Sequence, residues 1–576
     1  MDKEEKIEVR YEKLKSQSEA VKKQIQNTYE IETRYAIIMI IDAFGSSNIK
    51  KIASLLKKNE ATIYYQNGEY NKAILILEGL IKHPKFIKLK KERISIYYDL
   101  ACNHAFLKNK ERALTCLEKA VEYGYADFSH IESDSALEGM REDERYIKIV
   151  TDLKREQRLW ENSNFNTPYR VNISENEKIA GLSKLWSEIK YNFINFDLVP
   201  DINPDSLYLA YLPKVRETAS TLEYYKLLQK FCVHFKDGHT GVNLPKELNS
   251  QIRGRVPIQT RLVEDRVIIT KVYDKQLGEK GITPGVEITH VDGYDAKIYA
   301  DKFIRPYWTN NSEQGRNRTI FEYAYLRGPI GQLVKITCKN ASGKSFKVEL
   351  PRLKSIPGEW EPVVYRQLEN NIGYINIKSF YADEIITKFD AVFSKIMETD
   401  ALIIDLRENG GGNGRIGWSI LGYFTDKPFQ IFKWKSRLYR PIWRAWGRRE
   451  EIYEEKPTLR MADERKYYSK PVVLLTRART ASMAENFCVG FKIMNRGKII
   501  GGPTMGSSGT PLFFSLPGGG TGKVVTTRSS YPDGKEFIGV GVQPDIEVYP
   551  MIEDFRTGRD RVLEKAIEYL NKNIKL

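Results

Sequence analysis

The chain has 576 residues, enough for about four domains of ordinary size. A composition of 41% hydrophobic and 29% charged residues excludes a wholly disordered chain, a collagen-like chain and a small disulfide-stapled scaffold. The formal net charge of +16 comes from Lys and Arg spread along the chain and interleaved with Glu, which reads as a solvated basic surface and not as a nucleic-acid interface. The longest apolar run near the start, Ala36 to Phe44, contains Asp42 and is too short to span a bilayer. The first residues have no apolar core or small-residue cleavage site. With Met1 as the native start the chain is expected in the cytoplasm; behind a trimmed leader it would be periplasmic or exported. Five cysteines, odd in number and far apart, fit neither a disulfide framework nor a zinc site, and no metal or other cofactor is expected.

In chain order, residues 1–58 read as Lys/Glu-rich helices. Residues 59–155 show a helical repeat. In YYQNGEYNKAILILEGLIKHP, Gly68, Tyr70, Ala73 and Leu77 stand where a tetratricopeptide repeat has its turn and second helix. In YYDLACNHAFLKNKERALTCLEKAVEYGY, Ala113, Leu117 and Ala120 follow the spacing of that helix. The small residues let paired helices approach. The alanines recur at 40 residues, so the units resemble imperfect tetratricopeptide repeats, with a plain helical bundle as the alternative. Either is a packing or binding module, open to a protein partner. A polar, turn-rich stretch at 156–175 reads as a linker.

Residues 176–250 read as helices, with Leu182, Leu185, Trp186, Ile189 and Phe193 at helical spacing. Residues 251–355 are strand-rich from Val256. Their Ile282, Gly285, Ile288 and Gly293 frame resembles a PDZ domain of the kind carried inside processing proteases, with Val286 in place of the usual Asp and Glu287 beside it. Such domains take peptides by adding a strand to a sheet edge; a small β-barrel that only spaces domains is the alternative. Residues 356–576 alternate strands and helices, an α/β core. The expected fold class is therefore multidomain α+β.

Three motifs stand in order in the second half: KDGHTGV with His239, DLRENGGGN with Gly410 to Gly412, and TASMAEN with Ser482 directly after a hydrophobic strand. A serine hydroxyl is a poor nucleophile until a base takes its proton. Ser482 at a strand-to-helix junction can present its hydroxyl to a pocket, or simply cap the helix. His239 follows a glycine in a turn and can project into a cleft; His234 reads as packing. A glycine loop offers backbone N–H groups to an oxyanion. It lacks the Lys-Ser/Thr of a Walker motif.

Together the motifs resemble the C-terminal-processing and tricorn-like serine peptidase family, over roughly residues 175–550. The resemblance implies Ser482 as nucleophile, His239 as base, and Gly411, Gly412 and Met483 as oxyanion donors. Some members use a Lys as base, but Ser507 stands at that position, which favours the histidine arrangement. There a Glu precedes the G-V-G-V stretch; here that position holds Ile538. Glu536, two residues earlier and on the same face if the segment is a strand, is the expected third member, with Glu485, one helical turn beyond Ser482, or a water or backbone group as alternatives. The function implied is a serine-type endopeptidase or processing peptidase acting on a peptide or protein, without nucleic acid or membrane span; the alternative is a catalytically inactive peptide-binding scaffold.

Overall fold

The structure, a computed structural model, describes residues 58, 60–82, 90–159, 163–356, 361–457, 459–460 and 467–574. Apart from Lys58, the helices expected over 1–58 lie outside the described residues. The chain divides into two compact units, 1–161 and 162–576. The division falls inside the stretch read as a linker.

The described residues of the first unit are mainly helical. Helices Tyr70–Lys82, Lys90–Phe106, Lys110–Tyr123, Phe128–Ser133 and Glu144–Arg158 follow one another. The alanines of the repeat pattern belong to the core: Ala73, Ala113 and Ala120 are fully buried in one cluster with Leu77 and Leu117. Helix Lys110–Tyr123 starts on the Asn109 side chain and stops at Gly124 with φ 113°, a left-handed conformation that glycine adopts without strain.

The second unit contains a six-stranded sheet: β1 (Val363–Gln367), β2 (Ile372–Ile377), β3 (Ala401–Asp405), β4 (Val472–Thr476), β5 (Gly497–Gly501) and β6 (Ile546–Glu547). Its order is β6-β5-β4-β3-β2-β1, parallel throughout except for β1. The continuous apolar runs ALIID and VVLLT are buried on both faces, as parallel strands between helical layers must be. Strand alternation sends Leu402, Ile404, Val472 and Leu474 to one core. That core is closed by α1 (Glu384–Glu398), α2 (Gly414–Gly422) and α3 (Met483–Ile493). Ala401, Ile403, Val473 and Leu475 go to the other, closed by α4 (Arg561–Ile574).

Before this sheet come helices Glu175–Asn192, Pro204–Arg216 and Thr221–Val233. The first begins in a capping box between Ser174 and Glu177, and Leu182, Leu185 and Ile189 are fully buried, as their spacing predicts. The short strand Gly241–Asn243 joins the hairpin Pro511–Leu516 and Gly520–Val525, so the sequence near His239 is held by residues from the far end of the chain. Between the helices and the core, strands Ile258–Val263, Arg266–Val272, Glu287–Val291, Leu333–Lys339 and Ser345–Pro351 form an antiparallel sheet over Ile282, Val286 and Ile288. Val286, at the position of the PDZ-type Asp, is a core residue of this domain.

Among the described residues, no helix is long and apolar enough to cross a membrane. All five cysteines are buried and unpaired.

Candidate active site

Ser482 connects β4 to α3. Its backbone has φ 53° and ψ −122°, a conformation that side-chain-bearing residues avoid, so this sharp strand-to-helix turn is strained. The strain is held from several directions. The Ser482 N–H donates to the Ser507 carbonyl at 3.0 Å, and the Ala481 N–H to the Asn409 carbonyl at 3.1 Å. The Glu485 N–H reaches the Ser482 carbonyl at 2.9 Å, and Ser482 and Glu485 stand in a capping-box relation at the start of α3. Ser482 is thus the N-cap of α3 as well as a strained residue. The hydroxyl is half-buried and borders a cleft of about 1030 Å³.

Glu485 is fully buried beneath the turn. Its Oε1 accepts from the Thr504 hydroxyl and the Gly506 N–H, both at 2.6 Å; Oε2 accepts from the N–H groups of Ser507 (2.9 Å) and Ser482 (3.2 Å). Burial raises its pKa to about 7 against the pull of these donors, Thr504 first. Both oxygens are engaged by the two loops they tie together. The alternative expectation, that Glu485 orients the histidine, is corrected here: it clamps the Ser482 turn to the 504–507 loop.

His239 lies in the turn between helix Thr221–Val233 and strand Gly241–Asn243, and lines the same cleft. Asp237, buried two residues earlier, shapes this turn. Its Oδ1 accepts from the His239 N–H at 2.7 Å, and its Oδ2 from the side-chain amides of Asn195 (3.0 Å) and Asn311 (2.7 Å). The ring Nδ1 is hydrogen-bonded to Ser507 Oγ at 3.0 Å. The ring's hydrogen bond thus goes to Ser507 and not to Ser482. Burial lowers the His239 pKa to about 4, against the opposing charge of Asp237 and with a further push from Lys523. Lys523 faces Gly241 across the strand pair and donates to the Gly238 carbonyl at 3.2 Å. His234, by contrast, meets Tyr211 at 3.1 Å and is not among the residues lining the cleft.

The structure does not bring Glu536 to the histidine. Its Oε1 pairs with Lys435 Nζ at 2.8 Å and its Oε2 with Arg528, which also holds Asp197. The strand premise behind that expectation fails. Around Glu536 there is one isolated bridge, to Ser530, followed by a turn, and Phe537 and Ile538 are both buried in the core. Ile538 is packing material where a carboxylate was sought.

The glycine loop follows β3. A Cβ on Gly411 would lie 2.7 Å from Ser482 Cβ, so only glycine lets the loop pass this close to the Ser482 turn. However, the Gly411 N–H donates to Asn409 Oδ1 at 2.8 Å, which corrects its expected role as an oxyanion donor. Gly412 (φ 141°) is pressed against the Phe380 backbone, where a Cβ would come within 2.3 Å. The residue of this loop that lines the cleft is Gly410. Met483 is the first residue of α3, so its N–H has no acceptor within the helix.

The loop and the turn are also braced from the antiparallel domain. Glu322 accepts from Arg477 Nη1 at 2.8 Å, and Glu408 from Arg477 Nε at 3.0 Å and Arg261 Nη2 at 3.2 Å. Burial opposes ionisation of Glu322, but Arg477 and Arg261 keep its carboxyl well below the ordinary range.

Sequence reasoning missed Asp237, Asn409 and the roles of Ser507 and Lys523. The Asp-x-His spacing and the Asn directly before the glycines were the available signals. Nothing local pointed to Lys523, which reaches the site only by strand pairing.

The model of peptidase family S41 matches residues 371–548. That stretch contains the glycine loop, Ser482 and Ser507. The chain is 25% identical over 290 residues to a chloroplastic carboxyl-terminal-processing peptidase 2 of Arabidopsis thaliana, covering 50% of each protein. It is 28% identical over 228 residues to the carboxy-terminal processing protease CtpA of Bacillus subtilis strain 168, covering 39% of this chain and 44% of that one. The chain thus spans about half the length of the curated relatives it matches. In fold it is similar to the crystal structure of mature CPAF, with a TM-score of 0.53 at 18% identity over 70% of this chain and 97% of that one.

Proposed function

We propose, from the match of residues 371–548 to peptidase family S41, that the protein is a serine-type processing peptidase acting through an acyl-enzyme. The observation that carries this reading is the strained Ser482 bordering one cleft with His239. Ser507 holds Nδ1 of the imidazole, which leaves Nε2 as the base that takes the serine proton and later gives it to the leaving amine. Asp237 holds the turn that carries the ring and supplies the negative charge that favours imidazolium. The Met483 N–H, with that of Gly410, receives the oxyanion, and water completes deacylation. The substrate is a peptide or protein, the class named by the curated relatives. The antiparallel domain serves as a PDZ-like peptide holder, and the helical repeats as a protein-binding module.

A fluorophosphonate probe tests the reading. It should label the intact chain at Ser482, and both Ser482→Ala and His239→Ala should abolish labelling while circular dichroism stays unchanged. Labelling that persists in Ser482→Ala overturns the nucleophile assignment. The bond from His239 to Ser507 in place of Ser482 favours a second reading, an inactive peptide-binding scaffold; absence of labelling together with retained peptide binding would establish it.

A further inference from the structure

The cleft that holds Ser482 and His239 is bordered by more cations than carboxylates; of these cations Arg479 is paired with Glu322 and Glu408 from outside the cleft. Lys226, Arg253, Arg318 and Arg327 border it, whereas its carboxylates among the described residues are Asp237 and Asp292. Asp237 is engaged by three N–H donors, as described above, and Asp292 accepts from the Lys335 N–H at 2.9 Å. Arg318 Nε is buried without a hydrogen-bond partner. Burial lowers the Arg318 pKa to about 10; Glu322 opposes this, while Arg479 and Arg477 add to it. Arg327 is likewise pushed down by burial, and its Nε donates to a carbonyl, that of Tyr323, at 2.6 Å. Buried cations elsewhere in the unit, such as Arg407 and Arg477, each meet two carboxylates.

We infer that the cleft selects substrates with acidic side chains, Asp or Glu, on either side of the bond presented to Ser482; this specificity rests on the peptidase reading above. A carboxylate entering the cleft replaces the water lost by a half-buried guanidinium with a charge-assisted, bidentate contact. The cations stand on separate walls. Lys226 is on helix Thr221–Val233, Arg253 follows helix Asn249–Ile252, and Arg318 ends helix Glu313–Arg318. One chain-terminal carboxylate cannot serve all of them, whereas several acidic side chains along an extended peptide can. The same field raises the encounter rate of acidic peptides and is screened by salt.

The test uses two fluorogenic peptides, both with an amidated C-terminus, identical except that one carries Glu where the other carries Gln. The full chain should cleave the Glu peptide with a kcat/KM at least about 10-fold higher at low ionic strength, and the ratio should shrink as salt is added. In the double variant Lys226→Gln/Arg253→Gln, both positions being exposed, the ratio should narrow through KM. Equal rates for the two amidated peptides overturn the inference. So does a preference that appears only when the terminus is a free acid. If neither peptide is cleaved, fluorescence anisotropy with Ser482→Ala separates the questions. Tighter binding of the Glu peptide sustains the acidic specificity while the peptidase reading falls; equal binding overturns the specificity as well.

Discussion

The serine side and the histidine side of the cleft are each built on a buried carboxylate that collects N–H donors, yet the two carboxylates do different work. Glu485 accepts from three backbone N–H groups and a hydroxyl, with no cation among its hydrogen-bond partners, and burial raises it to about 7. It holds a strained turn in place. Asp237 accepts from its own turn and from two asparagine amides, and its charge acts on the neighbouring imidazole. Neither touches the ring's nitrogens. Anchoring of loops and tuning of the base are thus assigned to different residues, and Ser507 is the point where the two sides meet.

The comparison breaks most decisively at the two groups proposed to react. Ser482→Ala should lower kcat for peptide hydrolysis by several orders of magnitude, and His239→Ala by a similar factor. The double variant should be about as slow as either single one, because the two act as a unit. Loss of the Ser482 hydroxyl should barely move the melting temperature.

Asp237→Asn sharpens the histidine side. Its amide must face at least one donor, and the imidazolium loses a counter-charge, so kcat should fall about 10- to 100-fold at a cost of about 1–3 kcal/mol in stability. The pH profile reports the same side. With the His239 pKa lowered in the folded state, the stability linked to this group is complete above about 6.5 and is lost as the pH falls through about 4. The acidic limb of kcat/KM should accordingly lie near pH 4. A limb at 6.5 would show that the ring is solvated in solution.

Glu485→Gln probes the serine side. The amide opposes N–H donors, so denaturant unfolding should show a loss of about 1–3 kcal/mol and activity should fall with it. The sign of its pH dependence is opposite to that of His239. A carboxyl raised in the folded state contributes fully below its unfolded value, and that contribution is lost as the pH rises through about 7. In Glu485→Gln this loss of stability between about pH 4.5 and 7 should disappear. The smallest effect on catalysis is expected from Glu536→Gln. It weakens a half-exposed pairing with Lys435 and Arg528 and should leave kcat within about two-fold, and a large drop would restore Glu536 to the site.

How far the site could be read in advance follows from how local its causes are. Ser482, at the end of a buried apolar strand, was legible because strand, turn and helix are consecutive. The helices with Leu182, Leu185 and Ile189, and the alanines of the first unit, were legible from spacing alone. Glu536 was misplaced because alternation was applied to a segment that turns, and Ile538 shows that the core claimed the position. Ser507 sits where a lysine was sought, and only the folded chain shows that its hydroxyl meets His239. The glycine loop was found, but the Asn409 side chain that engages the Gly411 N–H depends on the loop's final shape.

The strand Gly241–Asn243 also bears on folding. It is paired by Gly520–Val525, so the turn carrying His239 is anchored by a strand that lies beyond Ser482 in the sequence. Closing so long a loop is slow compared with the local assembly of helices. The turn that carries His239 thus depends on a long-range pairing, whereas the turn at Ser482 joins a strand and a helix that are neighbours in sequence, and slow loop closure separates the two in folding.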